Sequence, residues 1–482
     1  FLESHLNVAG TLNAEDTKFA VDLKTPDLRK FGKLLDLQLP NTGAAEISSN
    51  IIVKDQSVQL DKLSGTIGKS KLTGKLTILN EAHLKINGEI SLPTLDFTPL
   101  IQTENIEEAS PPDNLVQLYR QLLNNDLDLR GLGLADADIK LNIKQILGLP
   151  GQISEAKAQF KLKNSKLSIP MQLNMANVNL NGQFEANANQ KASSLMLKLW
   201  THEEEIGDLA ELLFGIKGIK GQLGRFDLKA QAQGSKIRDA LENLNVSMNV
   251  DKSHLSYGNV EGSKAVNFDI ESLNLNLPPA KPLNIKFIGN LLNQPLTINV
   301  DGDSITEIAK SEQGQLKLKA QAKNARIDAL ANYSLKNNHP SFNLDFKLNS
   351  SDARDIANWF GLQNAQKVPF SVSGIFNSDE NTWRLKDLAV QLASSNLQIN
   401  ASRINLKQRP LLALNIESQK IDANELEKLM PDAQPQKNIG THKKQNNFNL
   451  NIPILPKGLD LSDADIKTHI KKINSASIIV EN

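Results

Sequence analysis

The sequence predicts a mainly β protein: a long, antiparallel, twisted sheet curled into a hydrophobic groove, with a few short amphipathic helices. Three observations predict it. Apolar and polar residues alternate strictly over many short runs, the period of a strand with one dry and one wet face. Turn-forming residues separate those runs, and helical periodicity is confined to brief stretches. The aromatic content is 5%, so the apolar residues are chiefly Leu, Ile and Val.

The clearest alternating runs are Ala137-Ile139-Leu141-Ile143, Ala156-Ala158-Phe160-Leu162, Phe226-Leu228-Ala230-Ala232, Leu244-Val246-Met248-Val250, Leu316-Leu318-Ala320-Ala322 and Phe342-Leu344-Phe346-Leu348. Between the apolar positions stand Lys, Asn, Asp, Gln and Ser. Connections between antiparallel strands are expected at Asn87-Gly88, Asn181-Gly182, Asp301-Gly302 and Asn337-Asn338, because Asn and Gly tolerate the backbone angles of tight hairpins. Helices are expected over 27–35, 113–123, 203–214, 352–360 and 424–430. Most of them follow a strand and open on an Asp-, Glu-, Asn- or Ser-rich turn that caps free N–H groups.

Internal recurrence is visible at three levels. Strand-then-helix units recur at 21–35, 199–214, 346–361 and 415–430. The segments 60–80 and 385–407 space their apolar residues alike. The string Asp-Ala-Asp-Ile-Lys occurs in both 127–143 and 455–470, which points to duplication.

At 482 residues the chain exceeds one compact core, so several units are expected. Composition places them at 1–110, 111–280 and 281–430, then a polar, flexible linker over 431–447 and a further, truncated β unit over 448–482. Phe1 in place of Met, and a strand-like run reaching Asn482, lead to the expectation of a chain extended at both ends, with any leader or anchor outside the segment.

Charge and motifs narrow the chemistry. Lys plus Arg and Asp plus Glu each total 54, so the chain lacks the basic footprint of a nucleic-acid binder, and none is expected as a partner. The sequence has no cysteine, which excludes disulfides, thiolate metal sites and thiol nucleophiles. Gly68-Lys69-Ser70 resembles the end of a phosphate-binding loop, but Leu63 stands where that loop needs glycine, so a strand turn is the better reading. The Gly-rich 215–225 follows a helix and reads as its C-terminal cap and turn.

His202-Glu203 lacks the second histidine of a zinc-protease helix, since Ile206 occupies that position. The seven histidines are scattered, and no metal or cofactor is expected. The acid pairs Asp126-Asp128, Asp136-Asp138 and Asp463-Asp465 alternate with apolar residues and read as a solvated outer face. No catalytic residue emerges, and an enzyme is not expected.

Two readings of the dry faces stay open. They pack on another layer, as in a β-sandwich, or they remain uncovered as a binding surface. Few large aromatics, short helices and many consecutive one-faced strands favour the second. Candidate lining residues are Ile139, Leu141, Ile143, Phe160, Leu162, Phe226, Leu228, Val246, Met248, Val250, Leu316, Leu318, Phe342, Leu344, Phe346 and Leu348.

Leu60, Leu63, Gly65, Gly68, Ser70, Leu72 and Gly74 resemble the strand pair Leu-x-x-Leu-x-Gly-x-x-Gly-x-Ser-x-Leu-x-Gly of the AsmA family. These are envelope proteins of Gram-negative bacteria, related in architecture to chorein-type bridge-like lipid-transfer proteins. Residues 124–169 and 207–244 are similar to that family's C-terminal region, whereas 385–470 departs from the pattern, with Ala393 and Asn396 in place of glycines.

The resemblance implies a periplasmic body anchored to the inner membrane by a helix outside this segment, with phospholipid acyl chains as partners moved between inner and outer membranes. Envelope proteins are further implied partners. The alternative is a non-catalytic scaffold or assembly factor for outer-membrane proteins, meeting them through strand edges.

Overall fold

The structure is a computed structural model. It describes residues 4–12, 17–28, 43–81, 83–98, 129–149, 153–188, 192–258, 266–304, 307, 311, 313–334, 341–354, 367–379, 382–404, 409–423, 463–474 and 479–481. The protein is mainly β, and 24 strands belong to a very large sheet that is not closed. The chain divides into two compact units, Phe1–Ala280 and Lys281–Asn482.

The first unit contains β1 (His5–Leu12), β2 (Thr17–Thr25), β3 (Ala45–Lys54), β4 (Ser57–Ile67), β5 (Ser70–Asn80), β6 (Leu84–Asp96), β7 (Asp136–Leu147), β8 (Ile153–Lys163), β9 (Lys166–Met175), β10 (Val178–Asn187), β11 (Ser193–Glu205), β12 (Ile219–Gly234), β13 (Asn245–Tyr257) and β14 (Val266–Leu277). Each strand pairs antiparallel with the next, with one exception. That exception is β6 on β7, which run parallel, so the sheet is not uniformly antiparallel as the alternation led us to expect. Period-2 patterning reports which face a residue takes and is blind to strand direction.

The second unit contains β15 (Leu283–Leu291), β16 (Gln294–Gly302), β17 (Gln313–Ala322), β18 (Ala325–Ser334), β19 (Ser341–Ser350), β20 (Phe370–Ser378), β21 (Thr382–Leu392), β22 (Ser395–Ile404), β23 (Leu411–Ser418) and β25 (Asp463–Ile470). Its ladder is antiparallel from β15 to β23, and β23 then pairs parallel with β25. Three short strands, β24 (Ile421–Asp422), β26 (Lys472–Asn474) and β27 (Ile479–Glu481), form a separate sheet.

Several turns differ from expectation. Asn87-Gly88 and Asn181-Gly182 lie inside β6 and β10, and Asp301-Gly302 ends β16; Asn337-Asn338 falls outside the described residues. The glycine at 182 answers a packing demand. A Cβ there would lie 2.7 Å from Met171 Cγ and 3.0 Å from Leu199 Cδ2, its two cross-strand neighbours. Gly182→Val is therefore expected to cost about 1–3 kcal/mol by overpacking; a denaturant midpoint unchanged from the parent protein would contradict this.

The tight hairpins use other residues: Asn164-Ser165, Ala176-Asn177 and Leu292-Asn293 all have positive φ, between 49° and 63° for the four at 177, 292, 293 and 165 and 50° and 52° for Asn164 and Ala176. Each pair includes an asparagine, the residue after glycine best suited to that region. The expected turn at Gly68-Lys69 is present between β4 and β5, with Gly68 at φ 56°.

Helices are few among the described residues. The one expected over 203–214 forms only as α1 (Leu209–Phe214), because Glu203–Glu205 still pair in β11 or sit at its irregularity. Gly215 closes α1 in the left-handed conformation, its N–H donating to the Glu211 carbonyl and that of Ile216 to the Ala210 carbonyl. A second helix, α2 (Ile237–Glu242), was not foreseen. Its signal is Asp239, whose carboxylate accepts from the Lys236 N–H in the manner of a capping residue. The expected helix 113–123, helix 424–430 and linker 431–447 lie outside the described residues; of 27–35 and 352–360, only Asp27–Leu28 and Asp352–Arg354 are described.

Those two stubs share one joint. Thr25 Oγ1 donates to the Asp27 carbonyl at 3.2 Å and accepts from its N–H at 3.3 Å. Ser350 Oγ does the same with Asp352, at 2.8 and 3.1 Å. Asp352, 3% exposed, also receives Arg354 Nε at 2.8 Å, and that guanidinium holds its carboxyl below the usual value.

A lowered folded pKa stabilises above the ordinary carboxylate value and is lost as pH falls through the folded one. Acidification from about pH 6 to below about pH 3 should therefore loosen this joint. Amide exchange at 350–354, corrected for intrinsic pH dependence, should accelerate relative to the ladder, and Asp352→Asn should abolish that response.

Candidate functional site

Residues that face each other across a ladder share a side of the sheet, so register converts separate alternations into continuous rows. In the first unit one row runs Leu63, Gly74, Ile90, Leu141, Ala158, Met171, Gly182, Leu199, Leu228, Met248, Leu275. It crosses every strand from β4 to β14 without a polar side chain. Beside it lie Ile139 opposite Phe160, and Ala230 opposite Val246. On the other side lie Ile143 opposite Ala156, and Phe226 opposite Val250.

The second unit repeats the arrangement. Its row is Leu283, Gly302, Leu316, Ala331, Leu344, Phe376, Leu385, Ala401, Leu414, Ile466, from β15 to β25. Leu318 and Phe346 both face Ala329, and Leu348 faces Ile327 and Val372. Phe342 faces Tyr333 at the strand ends, near Trp383, whose ring lies 6.4 Å from that of Phe376.

The opposite face is charged and amide-rich. Lys75, Glu89, Lys140 and Gln159 face one another in the first unit; Lys319, Asp328 and Lys347 do so in the second. Arg326 Nε donates to Asp328 at 2.8 Å and lowers that carboxyl's pKa. Burial and the Asp303 carboxylate raise the Tyr333 hydroxyl above its ordinary value.

The candidate lining residues thus share one face within each unit, but their burial divides them. Ile143, Leu162, Phe226, Met248 and Val250 are buried. Ile139, Leu141, Phe160, Leu228, Val246, Leu316, Leu318, Leu344, Phe346 and Leu348 are half-buried, and Phe342 is exposed.

Two segments approach the first unit's face at its strand ends. α1, whose Leu209, Ala210 and Leu212 are buried, starts beside Val178, since a Cβ at Gly207 would lie 3.1 Å from Val178 Cγ2. The approach is fixed by the Asp208 N–H donating to Ala176 O and by Asn177 Nδ2 donating to Asp208. At the other strand end, Leu129 and Leu132 pack on the cluster of Leu162, Leu167 and Ala186. One part of the face is a closed core, while the row between is half-covered.

Alternation missed several members of the rows, among them Met171, Leu199, Leu275 and Phe376. β11 reads Leu-Met-Leu-Lys-Leu-Trp, too uniformly apolar for a period-2 signal, and Pro170 and Gly182 interrupt β9 and β10. Two cavities indent the described surface beside polar residues. One of about 650 Å³ is bordered by Ser168, Glu185, Gln231 and Asn245, and another of about 660 Å³ by Gln315, Asn332, Asn343 and Asn377.

No group of three metal-ligating side chains occurs among the described residues. Among them, too, no helix is long and apolar enough to cross a membrane. Set beside known proteins, the chain matches no family model, no curated protein and no solved structure.

Proposed function

We propose that the apolar rows shelter lipid acyl chains, which lie across the strands while their head groups stay in water. The observation that carries this reading is the unbroken succession of apolar residues across eleven strands of one unit and ten of the other, much of it half-buried. Leu6 and Val8, on the apolar side of edge strand β1, are 57% and 55% exposed. A covered core would be closed throughout; among the described residues, the segments that approach the first unit's face, α1 and Leu129–Leu132, do so at the strand ends.

The energetics suit a uniform lane. At about 0.8 kcal/mol per methylene, lifting a 16-carbon chain wholly into water costs roughly 12 kcal/mol. A row without polar interruptions lets a chain shift by small steps and avoids that barrier. The resemblance to the AsmA family supports the further reading of a non-catalytic, periplasmic protein, anchored to the inner membrane and passing phospholipid between the membranes.

Photo-crosslinking from Leu141 and Leu344, with Lys140 and Lys347 as outward controls, tests it in Gram-negative cells. Phospholipid adducts are expected from the inward pair. Adducts to protein alone, or equal lipid yield from both faces, would favour the assembly-scaffold reading.

A further inference from the structure

Two parts of the chain are copies of one another in register as well as in sequence. Residues 136–147 read DADIKLNIKQIL and 463–474 read DADIKTHIKKIN, identical at eight of twelve positions. Each copy begins a strand that joins its neighbour in parallel. Upstream, β4 and β21 carry the same irregularity: Lys62 and Asp387 have φ of 54° and 52°, and each lies six residues before a left-handed turn residue, Gly68 or Ala393.

The pairing offsets agree as well. In the first copy Leu92 faces Ile143, and pairing resumes three residues later with Leu95 facing Ile146. In the second, Ser418 faces Ile470 and pairing resumes three residues later with Ile421 facing Ile473. Ile146 then faces Ile153, and Ile473 faces Val480, each seven residues further along the chain. By this count β27 occupies the place at which β8 starts.

In the first copy β8 continues along β7, with Ala156, Ala158 and Phe160 opposite Ile143, Leu141 and Ile139. In the second, β25 has β23 on one side and, among the described residues, no strand on the other. Its Ile466, on the apolar row, is 45% exposed. An open edge of this kind presents backbone donors and acceptors to any strand of matching register.

We propose that the outer edge of β25 is the docking site for an antiparallel strand that carries the alternation of β8. Small or apolar residues of that strand face Ile470, Thr468 and Ile466. Cationic or amide residues face the acidic side, as Lys161 faces Asp138 in the first copy, the counterpart of Asp465.

The test appends the octapeptide AKAQFKLK, the sequence of 156–163, directly after Asn482 and follows amide exchange over 463–470. A second fusion inserts one glycine before the octapeptide, which moves every side chain to the wrong face. The in-register fusion is expected to slow exchange of the β25 amides that point away from β23 by about tenfold or more, as closing a frayed edge does. The shifted fusion should leave them unchanged. Equal protection from both fusions, or from neither, would overturn the proposal. Exchange reports strand pairing alone, so this outcome is independent of whether the face carries lipid.

Discussion

Leu141→Asp and Leu344→Asp are each expected to strip co-purified phospholipid from the unit that carries them, while Lys140→Gln and Asp345→Asn leave it in place. Both leucines sit on the central row of their unit and are half-buried, so a carboxylate reaches solvent without unfolding the strand. It also breaks the row. An acyl chain crossing it loses contact for about three methylenes, roughly 2.4 kcal/mol, or about 60-fold in occupancy.

The two controls are neighbours on the wet face of the same strands, so they probe local stability without touching the row. Mass spectrometry of lipid extracted from equal amounts of folded protein reads the result. Undiminished lipid in the folded inward variants would sink the acyl-chain reading, and loss in the controls would show that folding, not the row, governs occupancy. The same substitutions at Phe226 or Met248 would be uninformative, since both are 2–3% exposed and would report collapse of the core.

The strands were legible because alternation is a direct image of a two-faced sheet, and Ile139 with Phe160, or Leu344 with Leu316, needed no further information to be placed on one side. What joins them was not legible. The parallel steps of β6 on β7 and β23 on β25 reverse no periodicity, so nothing local announces them. The Asn-Gly dipeptides misled for a physical reason: a glycine within a strand leaves a gap that a neighbour's side chain can fill, and Met171 and Leu199 fill the one at 182.

Burial was the least legible property. Phe160, Phe226 and Phe342 all stand at apolar positions of alternating runs, yet they are half-buried, buried and exposed respectively. Phe160 packs on the cluster that Leu129 and Leu132 also meet, Phe226 lies between Thr201 and Val250, and Phe342 stands near a strand end. A copy number of two was visible in the Asp-Ala-Asp-Ile-Lys string, but the matching bulges at Lys62 and Asp387 need backbone angles to be seen.

Phe226→Ala is expected to destabilise the first unit by about 3–5 kcal/mol, the usual cost of emptying a buried phenylalanine site. Its ring is 2% exposed, between Thr201 of β11 and Val250 of β13, and Leu223 nearby is equally enclosed. Since a domain's whole margin is about 5–15 kcal/mol, the loss should be plain in the denaturant dependence of exchange for β10 to β13.

Phe342→Ala removes the same atoms from a ring that is 37% exposed, and should cost about 1 kcal/mol or less. Comparable losses at the two sites would mean that the strand-end face of the second unit is as enclosed as the core of the first. The surface available to a ligand would then shrink to the half-buried rows. A large asymmetry instead assigns the two phenylalanines different work: one holds strands together within a buried face, and the other stands where an apolar partner can reach it.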